Sequence, residues 1–236
     1  MTSICTICAR GGSKGVPNKN IKLLNGTPLI VYTIKQAINS KLFSRVVVST
    51  DSQKIAKIAS DSGVECWFLR PKYLSSDKAS KLDAIRHAVT KAEKKFKTKY
   101  DFIFDLDATS PLRKVSDIKN AFKYFKQSDA LNLITASPAR KNPYFNMVEY
   151  SRSGIKLVKS IKGVMSPQSR QVARPVYDMN ASIYIWKRSA LFNNVKLINK
   201  KTVLYEMPEE RSIDIDTMID WYLVELLMQS NQKKLI

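Results

Sequence analysis

The chain has 236 residues, with 40 Lys and Arg against 20 Asp and Glu, a formal charge of +20 and a sequence pI of about 9.9. Its 44% hydrophobic content supports a sizeable core and excludes intrinsic disorder, while a single histidine and three cysteines exclude a histidine-rich metal site. The cation excess asks for an anionic partner, and no apolar run approaches the roughly 18 residues that cross a membrane.

Short apolar runs rich in β-branched and aromatic residues are predicted as strands at 3–9, 45–50, 64–69, 101–106 and 131–136. Helical patterns alternate with them at 28–39, 52–62, 81–96 and 116–127, with a last one at 217–228. Pro28 suits a first helical turn, and Asp51 or Ser52 suits the cap of the second helix. Near-continuous apolar strands alternating with helices predict an α/β fold whose parallel sheet is covered on both faces. The alternation ends after Ala136. A strand-like 155–161 and a further strand at 177–186 follow, and the chain then returns to the main sheet from 202 onward. Residues 138–177 thus read as an insertion within a single domain spanning 1–236, with no internal repeat or linker.

Cys5 and Cys8 form a lone C-x-x-C with no second pair and no histidine at ligand spacing, which argues against structural zinc. In an extended strand an offset of three turns the two thiols to opposite faces, so a structural role is expected rather than a redox dithiol. Three cysteines and no cleavable apolar leader fit a reducing interior, so a soluble cytoplasmic protein is expected. His87 falls inside the 81–96 helix and is given no role. The five lysines of 91–99 read as a solvated helix end.

The chemistry concentrates in three places. After the first strand comes Ala9-Arg10-Gly11-Gly12-Ser13-Lys14-Gly15, then Pro17-Asn18-Lys19-Asn20, with three of the seven glycines inside five residues and three cations beside them. In an open α/β sheet the loop after the first strand is a ligand edge, where glycines let backbone N–H groups approach phosphate and cations neutralise it. The spacing matches neither a Walker A loop nor G-x-G-x-x-G; the bland alternative is a flexible turn with solvated lysines. Second, Asp214 and Asp216 in an extended segment point two hard oxygen ligands to one side, a pattern suited to Mg²⁺, although Asp216 capping the 217–228 helix is the alternative. Third, Asp105 and Asp107 end the fourth strand just before Thr109-Ser110-Pro111-Leu112-Arg113. Arg70 ends the third predicted strand, again at a ligand edge, with a surface salt bridge as its alternative.

The glycine loop resembles the signature of the N-acylneuraminate cytidylyltransferases, the CMP-sialic acid synthetase family. The resemblance spans nearly the whole chain, through Leu69-Arg70-Pro71, 106–113 (LDATSPLR), Arg170-Gln171, 180–184 (NASIY) and 212–216 (SIDID). Within that family, 5–10 (CTICAR), 139–146 and 177–184 are most similar to CMP-legionaminic acid synthetases. The resemblance implies a three-layer α/β/α, nucleotide-diphospho-sugar transferase-like fold with a mostly parallel sheet, and a homodimer in which the 138–177 insertion reaches the partner's site. It implies that CTP and a nonulosonic acid give the CMP-sugar and pyrophosphate, with Mg²⁺ held by Asp214 and Asp216. Arg10, Lys14 and Lys19 would contact phosphates; Ala9, Gly11, Ser13 and Asn20 would help hold the nucleotide; Arg70 would lie over it, and Ala79 and Ser80 would read the cytosine edge, with Lys19, Arg70, Asp214 and Asp216 as the catalytic set. Asp107, Thr109, Ser110, Asn180 and Tyr184 would line the sugar side, and Arg170 would clamp the sugar's carboxylate. Relatives often carry glutamine where Asp107 stands, a departure bearing on the exact sugar. Related sugar acids of pseudaminic or eight-carbon type are the alternative substrates. A basic nucleic-acid binder is the alternative in another class, but the chain has no RNP-like motif, zinc finger or aromatic-interleaved basic patch.

Overall fold

A computed structural model describes residues 1–151, 154–159, 174–193 and 196–233. Arg170 and Gln171 lie outside the described residues, as do positions 160 and 161 of the strand expected over 155–161.

The strands are β1 (Ser3–Cys8), β2 (Leu23–Leu24), β3 (Thr27–Pro28), β4 (Arg45–Ser49), β5 (Phe102–Leu106), β6 (Asn132–Pro138), β7 (Val148–Ser151), β8 (Gly154–Leu157), β9 (Tyr177–Lys187) and β10 (Thr202–Glu206). The α-helices are α1 (Leu29–Ser40), α2 (Gln53–Asp61), α3 (Lys81–Phe96), α4 (Val115–Lys126), α5 (Arg188–Phe192) and α6 (Met218–Lys233). Six strands form the main sheet in the order β10-β6-β9-β5-β1-β4. β1 is parallel to β4 and β5, and β10 to β6.

The sheet is mostly parallel, as expected, with β9 running antiparallel to both β5 and β6. The chain leaves β6 at Pro138 and re-enters opposite it at Tyr177, so β9 starts at the end where β6 stops and runs back along it. The strand expected at 64–69 is corrected: it shrinks to two isolated bridges, Glu65 to Val47 of β4 and Leu69 to Thr50 just after it. Within the insertion, β7 and β8 pair only with each other among the described residues.

Alternation along β1 and β5 divides the core. Cys5, Ile7, Phe104 and Leu106 face α1, α2 and α4, whereas Ile4 and Ile103 face α3 and α5. Three layers result. α3 buries Ile85, Val89 and Ala92 at a 3–4 residue spacing, Asp83 complements its N-terminal dipole, and Lys94 and Lys95 complement its last turn. Each buried aliphatic contributes about 1.5–3 kcal/mol. Ser52 caps α2 by accepting from Ile55 N. A third cluster, Val16, Leu24, Leu29, Leu112, Ile215, Trp221 and Val224, fastens α6 to the segments that follow β1 and β5. No helix among the described residues is long and apolar enough to cross a membrane.

Candidate active site

The carboxyl ends of β1 and β5 open into a cleft of about 460 Å³ lined by Cys8, Arg10, Ser13, Lys14, Gly15, Lys19, Asn20, Asp107, Thr109, Asp214 and Asp216, a volume typical of small-molecule sites. Thus the glycine loop and the Asp214/Asp216 segment, two hundred residues apart in the chain, form opposite walls of one cleft. Gly15 explains how closely they meet: a Cβ there would overlap the Asp216 carbonyl oxygen. Lys19 bridges the walls, its ammonium donating to Ile215 O and, at 2.9 Å, to Asp216 Oδ1.

Asp216 does not cap α6. Thr217 caps it, its Oγ1 accepting from Asp220 N at 3.3 Å, and the Asp220 carboxylate reciprocates by accepting from Thr217 N at 2.7 Å and from Asp216 N at 3.1 Å, leaving the Asp216 carboxylate for Lys19 and the cleft. Burial, reinforced by the negative charge of Asp107, pushes the Asp214 carboxyl up to about 6. Its Oδ1 is buried with no hydrogen-bond partner among the described residues. A buried, unpartnered carboxylate oxygen beside an exposed one is a donor set suited to a hard divalent cation.

The loop cations are already engaged. Arg10 Nη1 and Lys14 Nζ each lie 2.6 Å from a carboxylate oxygen of Asp77. The backbone is partly engaged as well, since Gly11 N donates to Asp51 Oδ1 at 2.9 Å and Ala9 N to Ser49 O at 3.0 Å. Asn20 Nδ2 holds the Arg10 carbonyl at 2.9 Å, while its Oδ1 is buried without a partner. A polyanion entering the cleft must therefore draw Arg10 and Lys14 away from Asp77.

Cys8, Arg10 and Asp107 are shared with a side cavity whose other walls are Arg70, Leu74, Ser76, Asp77, Ala79, Ser80, Lys81 and Ala84. Arg70 is buried, is fixed by its N–H to Thr50 O at 2.7 Å, and leaves Nε unpartnered. It makes no ion pair among the described residues, which removes the surface salt-bridge alternative.

Lys81, which sequence reasoning passed over, reaches from the first turn of α3 to the carboxylates of Asp105 in β5 and Asp107 just after it, 2.6 Å from Asp107 Oδ2 and 3.1 Å from Asp105 Oδ2. Burial raises the Asp107 carboxyl, but the Lys81 ammonium and the Thr109 hydroxyl and amide outweigh it and bring it down to about 2. The signal was present: two carboxylates two residues apart at the end of a buried strand share a face and require a cation. Cys5 and Cys8 do point to opposite faces, Cys5 into the core and Cys8 into the cleft. Burial, then the Asp105 charge, raises the Cys8 thiol well above its ordinary value.

The expected sugar-side residues separate. Asp107 and Thr109 line the cleft, with Thr109 N and Oγ1 donating to Asp107 Oδ1 at 3.1 and 2.7 Å. Ser110 is fully buried, and Tyr184 packs in the core beneath Lys81. Asn180 is taken up internally: its Oδ1 accepts from Thr135 Oγ1 and Ser182 N, and its Nδ2 donates to Ser212 Oγ at 2.9 Å, tying β9 to the segment that carries Asp214. Arg113 is also buried. Its guanidinium donates to Ser182 O and Oγ, Thr33 Oγ1, Gln36 Oε1 and Asp107 O, which fixes the turn after β5.

The model of a family described as cytidylyltransferase matches residues 4–225. The chain is 49% identical over 226 residues to the post-translational flagellin modification protein B of Campylobacter coli, covering 96% of this chain and 94% of that protein. It is also 49% identical over 225 residues to the CMP-N,N'-diacetyllegionaminic acid synthase of Campylobacter jejuni, with 95% and 94% covered. Among solved structures, a CMP:2-keto-3-deoxy-manno-octonic acid synthetase complexed with CTP superposes with a TM-score of 0.68 at 17% identity, covering 98% of this chain and 100% of that one. At that identity the likeness speaks for the fold.

Proposed function

As the chain belongs to the cytidylyltransferase family, we propose that it activates a nonulosonic acid of legionaminic or sialic type, converting CTP and the sugar acid to the CMP-sugar and pyrophosphate. The observation that carries the reading is the cleft itself, in which a glycine loop with three cations faces two carboxylates across the ends of β1 and β5. The sugar class is supported by the 49% identity to a CMP-N,N'-diacetyllegionaminic acid synthase along almost the whole chain.

The chemistry is a substitution at phosphorus. A sugar hydroxyl oxygen bonds to the α-phosphorus and gives up its proton, the bond from that phosphorus to the β-phosphate oxygen breaks, and pyrophosphate leaves with the electron pair. Such a reaction needs positioning and charge neutralisation rather than a covalent intermediate. In this proposal Arg10, Lys14 and Lys19 bind the triphosphate, Arg10 and Lys14 exchanging Asp77 for phosphate. Ser13, Gly11 and Asn20 shape the loop, and Arg70, Ala79 and Ser80 bound the nucleoside. Asp214 and Asp216 would hold Mg²⁺, which supplies charge neutralisation at the phosphates when bound. Thr109 faces the sugar, Arg170 binds its carboxylate, and Ser110, Asn180 and Tyr184 support the floor. The 138–177 insertion serves as a homodimer contact.

The test is pyrophosphate release with Mg²⁺, assayed with CTP alone, with each sugar acid alone and with each pair. Release should require CTP together with a legionaminic- or sialic-type acid. Release only with an eight-carbon acid, or with none, refutes the proposal.

A further inference from the structure

Lys81 and Asp107 stand side by side in the wall of the side cavity, next to Ala79 and Ser80. Asp107 Oδ1 is saturated by the Thr109 amide and hydroxyl, whereas among the described residues Oδ2 accepts only from Lys81, at 2.6 Å, and keeps a lone pair. The Lys81 ammonium has three donors. One goes to Asp107; Asp105 Oδ2 lies 3.1 Å away and the Tyr184 ring centroid 5.2 Å away. With the Lys81 side chain 34% exposed, a donor is left for a ligand in the cavity it lines.

We propose that Lys81 and Asp107 together read the edge of the nucleotide base, the carboxylate accepting from an exocyclic amino N–H and the ammonium donating to the ring nitrogen beside it. The proposal rests on CTP being the nucleotide. A 4-aminopyrimidine presents that donor next to that acceptor, and a carboxylate is a natural acceptor for its amino group. Uracil reverses both, setting a carbonyl oxygen against the carboxylate and an N–H against the ammonium. Fixed polarity is what makes the pair selective. The Ser76 and Ser80 hydroxyls can each donate or accept and so suit either base, Arg70 only donates, and Asp77, once Arg10 and Lys14 turn to phosphate, is an acceptor with no cation fixed beside it among the described residues. Burial would lower the Lys81 ammonium, but Asp107 and Asp105 hold it well above its ordinary value, so the polarity persists at neutral pH.

Titration calorimetry of CTP and of UTP with Mg²⁺, on wild type, Lys81→Met and Asp107→Asn, tests this. Wild type should bind CTP more tightly than UTP, and each substitution should shrink the CTP:UTP affinity ratio by about tenfold or more, since a paired edge contact is worth about 1–3 kcal/mol of discrimination. In Asp107→Asn the amide can turn either end to the base. Both nucleotides bind the same folded molecules, so the ratio does not depend on how much of a variant is folded. Wild type without preference, or variants that lose affinity for both nucleotides equally, overturns the proposal. A raised KM for the sugar acid with an unchanged nucleotide ratio overturns it too, placing the pair at the sugar. Wild type that binds neither nucleotide refutes the cytidylyltransferase reading and the base reading with it, and is told apart by absent rather than unselective binding.

Discussion

Replacing Asp214 by Asn should stabilise the metal-free protein while abolishing turnover. The Asp214 carboxyl is raised from an ordinary 3.8 to about 6 by burial and by the Asp107 charge. A rise of about two pK units corresponds to a ceiling of about 3 kcal/mol. Solvent reaches part of the side chain, so about 1–2 kcal/mol is expected, or about 2–8 °C in Tm for a chain of this size. The folded protein binds this proton more tightly than the unfolded chain does. Wild type therefore loses stability as pH rises from about 4 to about 6 and carries the full cost above 6. Asn does not titrate, so the Tm difference between variant and wild type should be small near pH 4, open up to pH 6 and then stay flat. Differential scanning fluorimetry in chelator across that range measures it directly. Added Mg²⁺ should raise Tm for wild type at pH 8 and leave Asp214→Asn unmoved. A difference that is independent of pH, or a variant less stable than wild type at pH 8, would refute the reasoning.

Gly15→Ala should force the glycine loop away from the Asp216 carbonyl, lowering kcat/KM by about a hundredfold, as expected for small misplacement of reacting groups, and lowering stability by about 1–3 kcal/mol; steady-state pyrophosphate release and chemical denaturation read this out. Asp77→Ala frees Arg10 and Lys14, so the KM for CTP should fall and its salt dependence steepen; a higher KM would mean that Asp77 itself helps to bind the nucleotide. Arg113→Met strands the acceptors on Ser182, Thr33 and Gln36 inside the protein and should cost at least about 3 kcal/mol in chemical denaturation.

The sequence pattern made the layered fold legible because β1, β4 and β5 are buried on both faces and the intervening helices keep a 3.6-residue period. The α3 boundaries, 81–96, were readable to the residue. The direction of β9 was not, because strand composition carries no sign; only the exit at Pro138 and re-entry at Tyr177 set it. The 64–69 run looked like a strand, but at the β4 edge it makes only two bridges. In the site, motif residues on the glycine loop and at Asp214 and Asp216 were legible because glycine spacing and paired carboxylates have local signatures. Lys81, Asp77 and Asp51 were harder, since each acts across the cleft on a residue distant in the chain. Asn180 and Ser110 illustrate the converse: their motifs point to the site, yet the Asn180 amide is taken up by internal hydrogen bonds and Ser110 is fully buried. Of the +20 charge, the cleft's Arg10, Lys14, Lys19 and Lys81 are already matched by aspartates, so the large excess lies elsewhere on the chain.

The most direct measurement is ³¹P NMR of a reaction of the enzyme with CTP, Mg²⁺ and N,N'-diacetyllegionaminic acid. The account predicts that the α-phosphorus appears as a phosphodiester joined to the sugar acid while the other two phosphates appear together as pyrophosphate. Release of CMP and pyrophosphate without a diester, or of CDP and a phosphorylated sugar, would contradict it.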